Sequence, residues 1–179
     1  MNKVLCPAVF LDRDGVLSRS IVRNGKSFAP RSLKDFILMP NSHRSVMLLK
    51  QFGFKVIVVT NQPDIGNGLV TLAVVELMHQ KLLEKIMVDD VFLCAHRQDE
   101  GCDCRKPKPG MLLAASVKHG IDLKKSFIIG DRSIDIEAGQ RAGCKTIFID
   151  RHYKEPGPMH AETKVTSLQS AVAYILDNK

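Results

Sequence analysis

Five short apolar runs, Ala8 to Leu11, Lys55 to Thr60, Asp90 to Ala95, Ser126 to Gly130 and Lys145 to Asp150, recur along the chain with a helical stretch in every interval. The helical stretches are Asn41 to Phe52, Thr71 to Met87, Gly110 to His119 and Ile134 to Ala142; Gly53, Gly120 and Gly143 stand at the ends of the first, third and fourth, where helices stop. A last stretch, Ser167 to Leu176, sets Leu168, Ala171, Val172 and Ile175 on one face. Strands that alternate with helices build βαβ units, so the chain is expected to fold as α/β, a three-layer Rossmann-like parallel sheet with helices on both sides. There is no internal repeat, low-complexity tract or clear linker, and one domain over residues 1–179 is expected. Ser18 to Pro40 is polar and irregular and reads as a flap near the end of the first strand. Pro156, Gly157 and Pro158 mark a loop before the terminal helix.

An apolar fraction of 45% with 25% charged residues is that of a folded globular protein rather than a disordered one. No apolar stretch approaches the roughly 20 residues that span a bilayer. The lead-in Met1 to Pro7 is too short for a signal peptide, so a cytoplasmic location is expected, with no membrane partner. The 26 basic residues outnumber the 19 acidic ones, which favours an acidic partner. They are scattered, however, and the chain has two Tyr and no Trp for stacking bases, so a small phosphorylated substrate suits it better than a nucleic acid. A monomer is expected.

The chemistry concentrates where strands end. Asp12 and Asp14 follow the first strand at i and i+2, with Gly15 allowing a sharp exit; two carboxylates so close favour a cation, although a D-x-D-G can also be a polar turn. The second strand ends in Thr60-Asn61-Gln62, whose hydroxyl and amides can meet a phosphate oxygen or merely cap a turn. The fourth ends in Gly130-Asp131-Arg132-Ser133-Ile134-Asp135; Asp131 stands directly at the strand end, and Asp135 can alternatively serve the dipole of the helix it opens. Between them Cys104-Arg105-Lys106-Pro107-Lys108-Pro109 places two cations on a proline-stiffened turn suited to phosphate.

Taken in order, D-x-D-G-V, strand-Thr-Asn-Gln, Arg-Lys-Pro and Gly-Asp-x-x-x-Asp make the chain resemble the haloacid dehalogenase superfamily, over roughly Phe10 to Asp150. More narrowly it resembles the histidinol-phosphatase and heptose-bisphosphatase branch, whose members have little or no cap domain. That resemblance implies Asp12 as the nucleophile that forms an aspartyl phosphate and Asp14 as acid and base. It implies Mg²⁺ held by Asp12, the Asp14 carbonyl and Asp131, and phosphoryl oxygens held by Thr60, Asn61 and Lys106. Gln62, Arg105 and Arg132 join the substrate-binding set, and Asp135 acts behind it on the metal's water or on Lys106. Arg132 departs from the Lys that heptose-bisphosphatase members carry there, which leaves that side chain's role open.

Cys94, His96, Cys102 and Cys104 form C-x-H, five residues, C-x-C, the usual donor set of a closed tetrahedral zinc site; the alternative is buried cysteines beside a solvated histidine. Four protein donors leave no open position, so a structural Zn²⁺ is expected, pinning the loop that presents Arg105 and Lys106. Cys6 and Cys144 read as small core residues. For the substrate, Pro-Gly-Met after Arg-Lys-Pro is closer to the heptose-bisphosphatase pattern. The flap and Asn67 depart from it and keep histidinol phosphate or another sugar phosphate in view. Arg19, Arg23, Lys26 and Arg31 are flap cations available to a second phosphate. A scaffold of this fold that binds phosphorylated ligands without turnover is the non-enzymatic alternative.

Overall fold

The computed structural model describes residues 5–179; the first four residues of the short lead-in lie outside them. Strand β1 (Ala8–Leu11) is buried at every position. It lies inside a parallel sheet whose order among the described residues is β5-β4-β1-β6-β7-β8, with β4 Lys55–Asn61, β5 Asp90–Cys94, β6 Phe127–Gly130, β7 Lys145–Ile149 and β8 Thr163–Val165. The five expected runs are all present; β8 is a sixth, three-residue edge strand that the sequence did not announce.

The period of two along each strand builds the layers. Val9, Leu11, Val56, Val58, Ile129 and Ile147 face one way, against α1 (Ser42–Gln51), α3 (Leu72–Lys85) and α6 (Leu168–Asp177). Ala8, Phe10, Ile57, Val59 and Ile128 face the other, against α4 (Gly110–His119) and α5 (Ser133–Ala142). Helices α4 and α5 end at Gly120 and Gly143, as expected. A short helix, α2 (Pro63–Gly66), follows β4. Cys144 is buried in the second core, while Cys6 is only partly so.

The flap is not wholly irregular. Ile21–Arg23 (β2) and Lys26–Phe28 (β3) pair as an antiparallel hairpin around Asn24 and Gly25, both at positive φ, the pattern of a tight two-residue hairpin turn. Its base is stitched to the turn after β1 by Ser18, which bridges Asp14 on one side and Leu38 on the other.

What this topology fixes is the site. The chain runs from β1 outward to β4 and β5, then returns to β6 on the other flank of β1. The carboxyl ends of β4, β1 and β6 therefore lie side by side at the point where strand order reverses, the crevice in which open α/β sheets bind ligands.

Candidate active site

Asp12, Asp14, Thr60, Asn61, Lys106, Arg132 and Asp135 line one cleft of about 50 Å³ at this edge, together with Ser27 and Ala29 of the flap. Asp131 lies directly behind: single carboxylate oxygens of Asp12, Asp131 and Asp135 all fall within 4.8 Å of one another. Lys106, buried, joins two of them, its Nζ 2.8 Å from Asp12 Oδ1 and 2.6 Å from Asp135 Oδ1, and donates a third contact to the Val59 carbonyl at 2.7 Å. Burial alone would discharge this ammonium, but Asp12 and Asp135 outweigh it and hold its pKa above the ordinary lysine value.

One ammonium among three carboxylates leaves the pocket short of positive charge. Burial pushes the Asp12 pKa up to about 6, with Lys106 opposing and Asp135 assisting. Asp131 is pushed well above the carboxylate range, by burial and then by Asp12 and Asp135. Its Oδ2 accepts from the Tyr153 hydroxyl at 2.8 Å, whereas its buried Oδ1 has no partner among the described residues. A divalent cation would correct both the charge and the orphaned oxygen. Two glycines make room for this crowding: a Cβ on Gly15, whose φ is +89°, would overlap the Asp131 carboxylate, and one on Gly130 would overlap Asp135.

Asp14 lives in a different setting. Its Oδ1 accepts from Ser18 Oγ at 2.8 Å and Arg13 Nε at 3.1 Å; its Oδ2 accepts from Arg13 Nη2 and Gln62 Nε2, each at 2.8 Å. Gln62 Nε2 also donates to Thr60 Oγ1 at 2.8 Å, which leaves the threonine's own proton free for the cleft. Gln62 thus sits beneath the site and does not line it. Neither does Arg105, whose Nη1 is buried without a partner among the described residues. Arg132 faces the cleft but is held by Glu155, whose Oε2 accepts from Nε at 3.1 Å and Nη2 at 2.7 Å. Of the flap cations none lines the cleft, and Arg31 pairs with Asp64 at 2.7 Å.

Arg13, Ser18, His79 and Tyr153 escaped the sequence reading. Arg13 follows the end of β1 in a turn, outside any period of two, and reaches its buried place by folding back onto Asp14. His79 and Tyr153 carry no local mark either.

The cysteine cluster is assembled on β5 and the loop after it. Cys94 Sγ lies 3.6 Å from both His96 Nδ1 and Cys102 Sγ; Cys104 Sγ lies 3.2 Å from His96 Nδ1 and 3.5 Å from Cys102 Sγ. Zinc–sulfur bonds of about 2.3 Å imply tetrahedron edges of roughly 3.8 Å, close to these separations and far longer than a disulfide. Loop order is completed by Lys108, whose Nζ donates to the Gly101 carbonyl at 2.9 Å and reaches Asp103 at 3.0 Å.

An α/β fold with carboxylates, a hydroxyl and a buried lysine converging on one sheet edge defines a hydrolase that handles phosphoryl groups. A HAD-hydrolase-like family model matches residues 103–176. The D-glycero-beta-D-manno-heptose-1,7-bisphosphate 7-phosphatase of Pseudomonas aeruginosa is 36% identical over 146 residues, 79% of each chain. The D-glycero-alpha-D-manno-heptose-1,7-bisphosphate 7-phosphatase of Photorhabdus laumondii is 33% identical over 160 residues, 83% of each. The crystal structure of D,D-heptose 1,7-bisphosphate phosphatase from B. bronchiseptica, complexed with magnesium and phosphate, superposes with a TM-score of 0.83 at 26% identity, covering 97% of this chain and 99% of that one. The chain belongs to this family of haloacid dehalogenase-like hydrolases and is a phosphatase.

Proposed function

We propose that this phosphatase removes the C7 phosphate of D-glycero-D-manno-heptose 1,7-bisphosphate, with Asp12 as nucleophile and Asp14 as acid and base. The observation that carries the assignment of roles is that two aspartates two residues apart face one cleft in unlike settings. Asp12 is held by Lys106 alone through Oδ1, which leaves Oδ2 free of protein donors among the described residues. Asp14 is wrapped by Arg13, Ser18 and Gln62 and so is fixed in direction. Carboxylates whose surroundings differ in this way divide between nucleophile and proton carrier.

In the first half-reaction an Asp12 oxygen bonds to phosphorus, the bond from phosphorus to the sugar oxygen breaks, and Asp14 gives its proton to that oxygen. In the second, Asp14 takes a proton from water as the water oxygen bonds to phosphorus and the Asp12 carboxylate leaves. Ser18 suits both states of Asp14. Its single hydroxyl proton lies within reach of Asp14 Oδ1 at 2.8 Å and of the Arg13 carbonyl at 3.2 Å. It donates to Asp14 as a carboxylate, and can turn to the Arg13 carbonyl when Asp14 carries its proton for the leaving oxygen. Thr60 and Lys106 hold the equatorial oxygens on which transition-state charge spreads.

Asp12, Asp131 and the Asp14 carbonyl would hold Mg²⁺, as the orphaned Asp131 oxygen invites. When bound, the ion neutralises phosphoryl charge and screens the anionic nucleophile from the anionic substrate. Cys94, His96, Cys102 and Cys104 would hold a structural Zn²⁺. The cleft is small, but a cavity of about 380 Å³ adjoins it through Arg132 and is also lined by Arg151, Tyr153 and Phe148, room for a sugar carrying a second phosphate.

Two measurements test this reading. Asp12→Asn should abolish phosphate release with Mg²⁺ present while the fold is retained; unchanged turnover overturns the mechanism. Across a kcat/KM panel of both heptose 1,7-bisphosphate anomers, histidinol phosphate and hexose phosphates, a heptose bisphosphate should lead. A lead for histidinol phosphate overturns the substrate.

A further inference from the structure

Arg13 is the largest side chain with no exposure at all among the described residues, and a guanidinium enters such a place only when each face and edge is occupied. Its Nε and Nη2 edge meets Asp14, at 2.8 Å for the closer pair. The ring of Phe36 lies 5.3 Å from the guanidinium carbon. The remaining nitrogen, Nη1, stands 3.3 Å from Nε2 of His79, on α3 and 66 residues along the chain. Arginine only donates, so His79 Nε2 is the acceptor and the imidazole is neutral. Burial, reinforced by Arg13, lowers the His79 pKa to about 4, in keeping with that role. Helix α3 is tied to the same place a second time: Lys81 Nζ donates to the Phe36 carbonyl at 3.1 Å.

We propose that His79 is a positioning residue for the acid step: through Arg13 it fixes the direction in which Asp14 presents its carboxyl group to the leaving oxygen. The guanidinium is planar and clamped at one end by Asp14, at the other by His79, and on one face by Phe36. Removing His79 leaves Nη1 buried without an acceptor, and the plane turns to find one. Any turn moves the two Arg13 contacts that aim Asp14. This inference rests on the assignment of Asp14 as acid, and goes beyond it by adding a helix that touches neither substrate nor metal.

The test uses the leaving group. A sugar alkoxide must be protonated as it departs, whereas 4-nitrophenolate leaves unaided, so kcat/KM for the best sugar phosphate and for 4-nitrophenyl phosphate report the acid and the rest of the machinery separately. Asp14→Asn serves as reference and should fall much further on the sugar phosphate. His79→Leu should lose roughly tenfold or more on the sugar phosphate and less than about threefold on the aryl phosphate, the scale of a misaligned rather than missing group. His79→Gln, whose amide oxygen can accept from Nη1, should recover most of the loss. If Asp14→Asn falls equally on both substrates, the acid assignment fails. If Asp14→Asn discriminates while His79→Leu lowers both substrates alike or neither, the role of His79 is overturned. Should His79→Leu not fold, His79→Met, unbranched and without a strong acceptor, is read by the same criteria.

Discussion

The side-chain amide of Asn61 closes a two-way hydrogen-bonded pair with the backbone of Lys106: Nδ2 donates to the Lys106 carbonyl at 3.0 Å, and Oδ1 accepts from the Lys106 amide at 3.1 Å. The end of β4 is thereby fastened to a loop without regular structure, at the one residue of that loop whose ammonium reaches Asp12 and Asp135. Asn61→Leu removes both bonds and leaves two backbone groups to find water. Lys106 is then placed less accurately, and kcat/KM is expected to fall about 10- to 100-fold, as for catalytic groups displaced by about an ångström. Asn61→Asp keeps the acceptor and loses the donor, and should fall between. Steady-state kinetics on the three proteins decides it; equal rates would show that the loop is held by other means.

Gly15 offers a second check, because it separates metal binding from folding. An alanine there meets a positive φ, at about 1–2 kcal/mol, and a Cβ that overlaps the Asp131 carboxylate. The carboxylate has to move, and it is the one with the unpartnered oxygen. Gly15→Ala is therefore expected to raise the Mg²⁺ concentration needed for half-maximal activity by at least about tenfold, more than its loss of stability alone explains. A Mg²⁺ titration of activity beside a thermal melt distinguishes the two; an unchanged half-maximal concentration would contradict the placement of the ion.

Most of the sheet was legible in the sequence because a buried parallel strand has to be a continuous apolar run, and three of the four helices between had glycine stops. β8 was not, since Thr163–Val165 is three partly exposed residues at an edge, too short for any period to show. The β2–β3 hairpin was legible in principle: Asn24-Gly25 between Ile21-Val22 and Ser27-Phe28 is a strong short-range hairpin signal. Within the site, most residues that meet in the cleft stand just beyond strand ends, where chain position nearly determines location; Lys106 is an exception, brought in by the loop that Asn61 holds. Gln62 and Arg105 stand next to such residues but do not line the cleft: Gln62 turns its amide to Asp14 and Thr60, and Arg105 lies in a loop without regular structure, where no period sets the side-chain direction. Tyr153 and His79 reach the site only through loop and helix packing, which no local pattern encodes.

The thiol cluster makes a prediction about order rather than chemistry. Without metal, burial and the neighbouring Cys94 and Cys102 push the Cys104 thiol up to about 12, so the site would be held together only by weak thiol contacts. Purified protein prepared without chelator is expected to carry about one equivalent of zinc. Its removal, or Cys104→Ser, should lower kcat/KM through Lys106, two residues on, while leaving the far edge of the sheet folded. Metal analysis that finds no zinc would remove the site; zinc whose removal changes nothing would show that the contacts of Asn61, Lys106 and Lys108 suffice to hold the loop.

His79 also predicts how stability responds to acid. In the unfolded chain it takes up its proton near 6.5, whereas in the folded protein burial and Arg13 delay this until about 4. Between those values the unfolded chain binds more protons, so stability falls as pH drops through this window and the loss is complete below about 4. From pH 7 to pH 5 the His79 contribution alone is on the order of 2 kcal/mol. His79→Gln cannot titrate, so its stability should decline less over that interval, even where it starts lower at pH 7 than the parent. Denaturant unfolding of both proteins at the two pH values measures the difference of differences. Parallel losses would mean that His79 is already protonated beside Arg13, which would also end its role as the acceptor for Nη1.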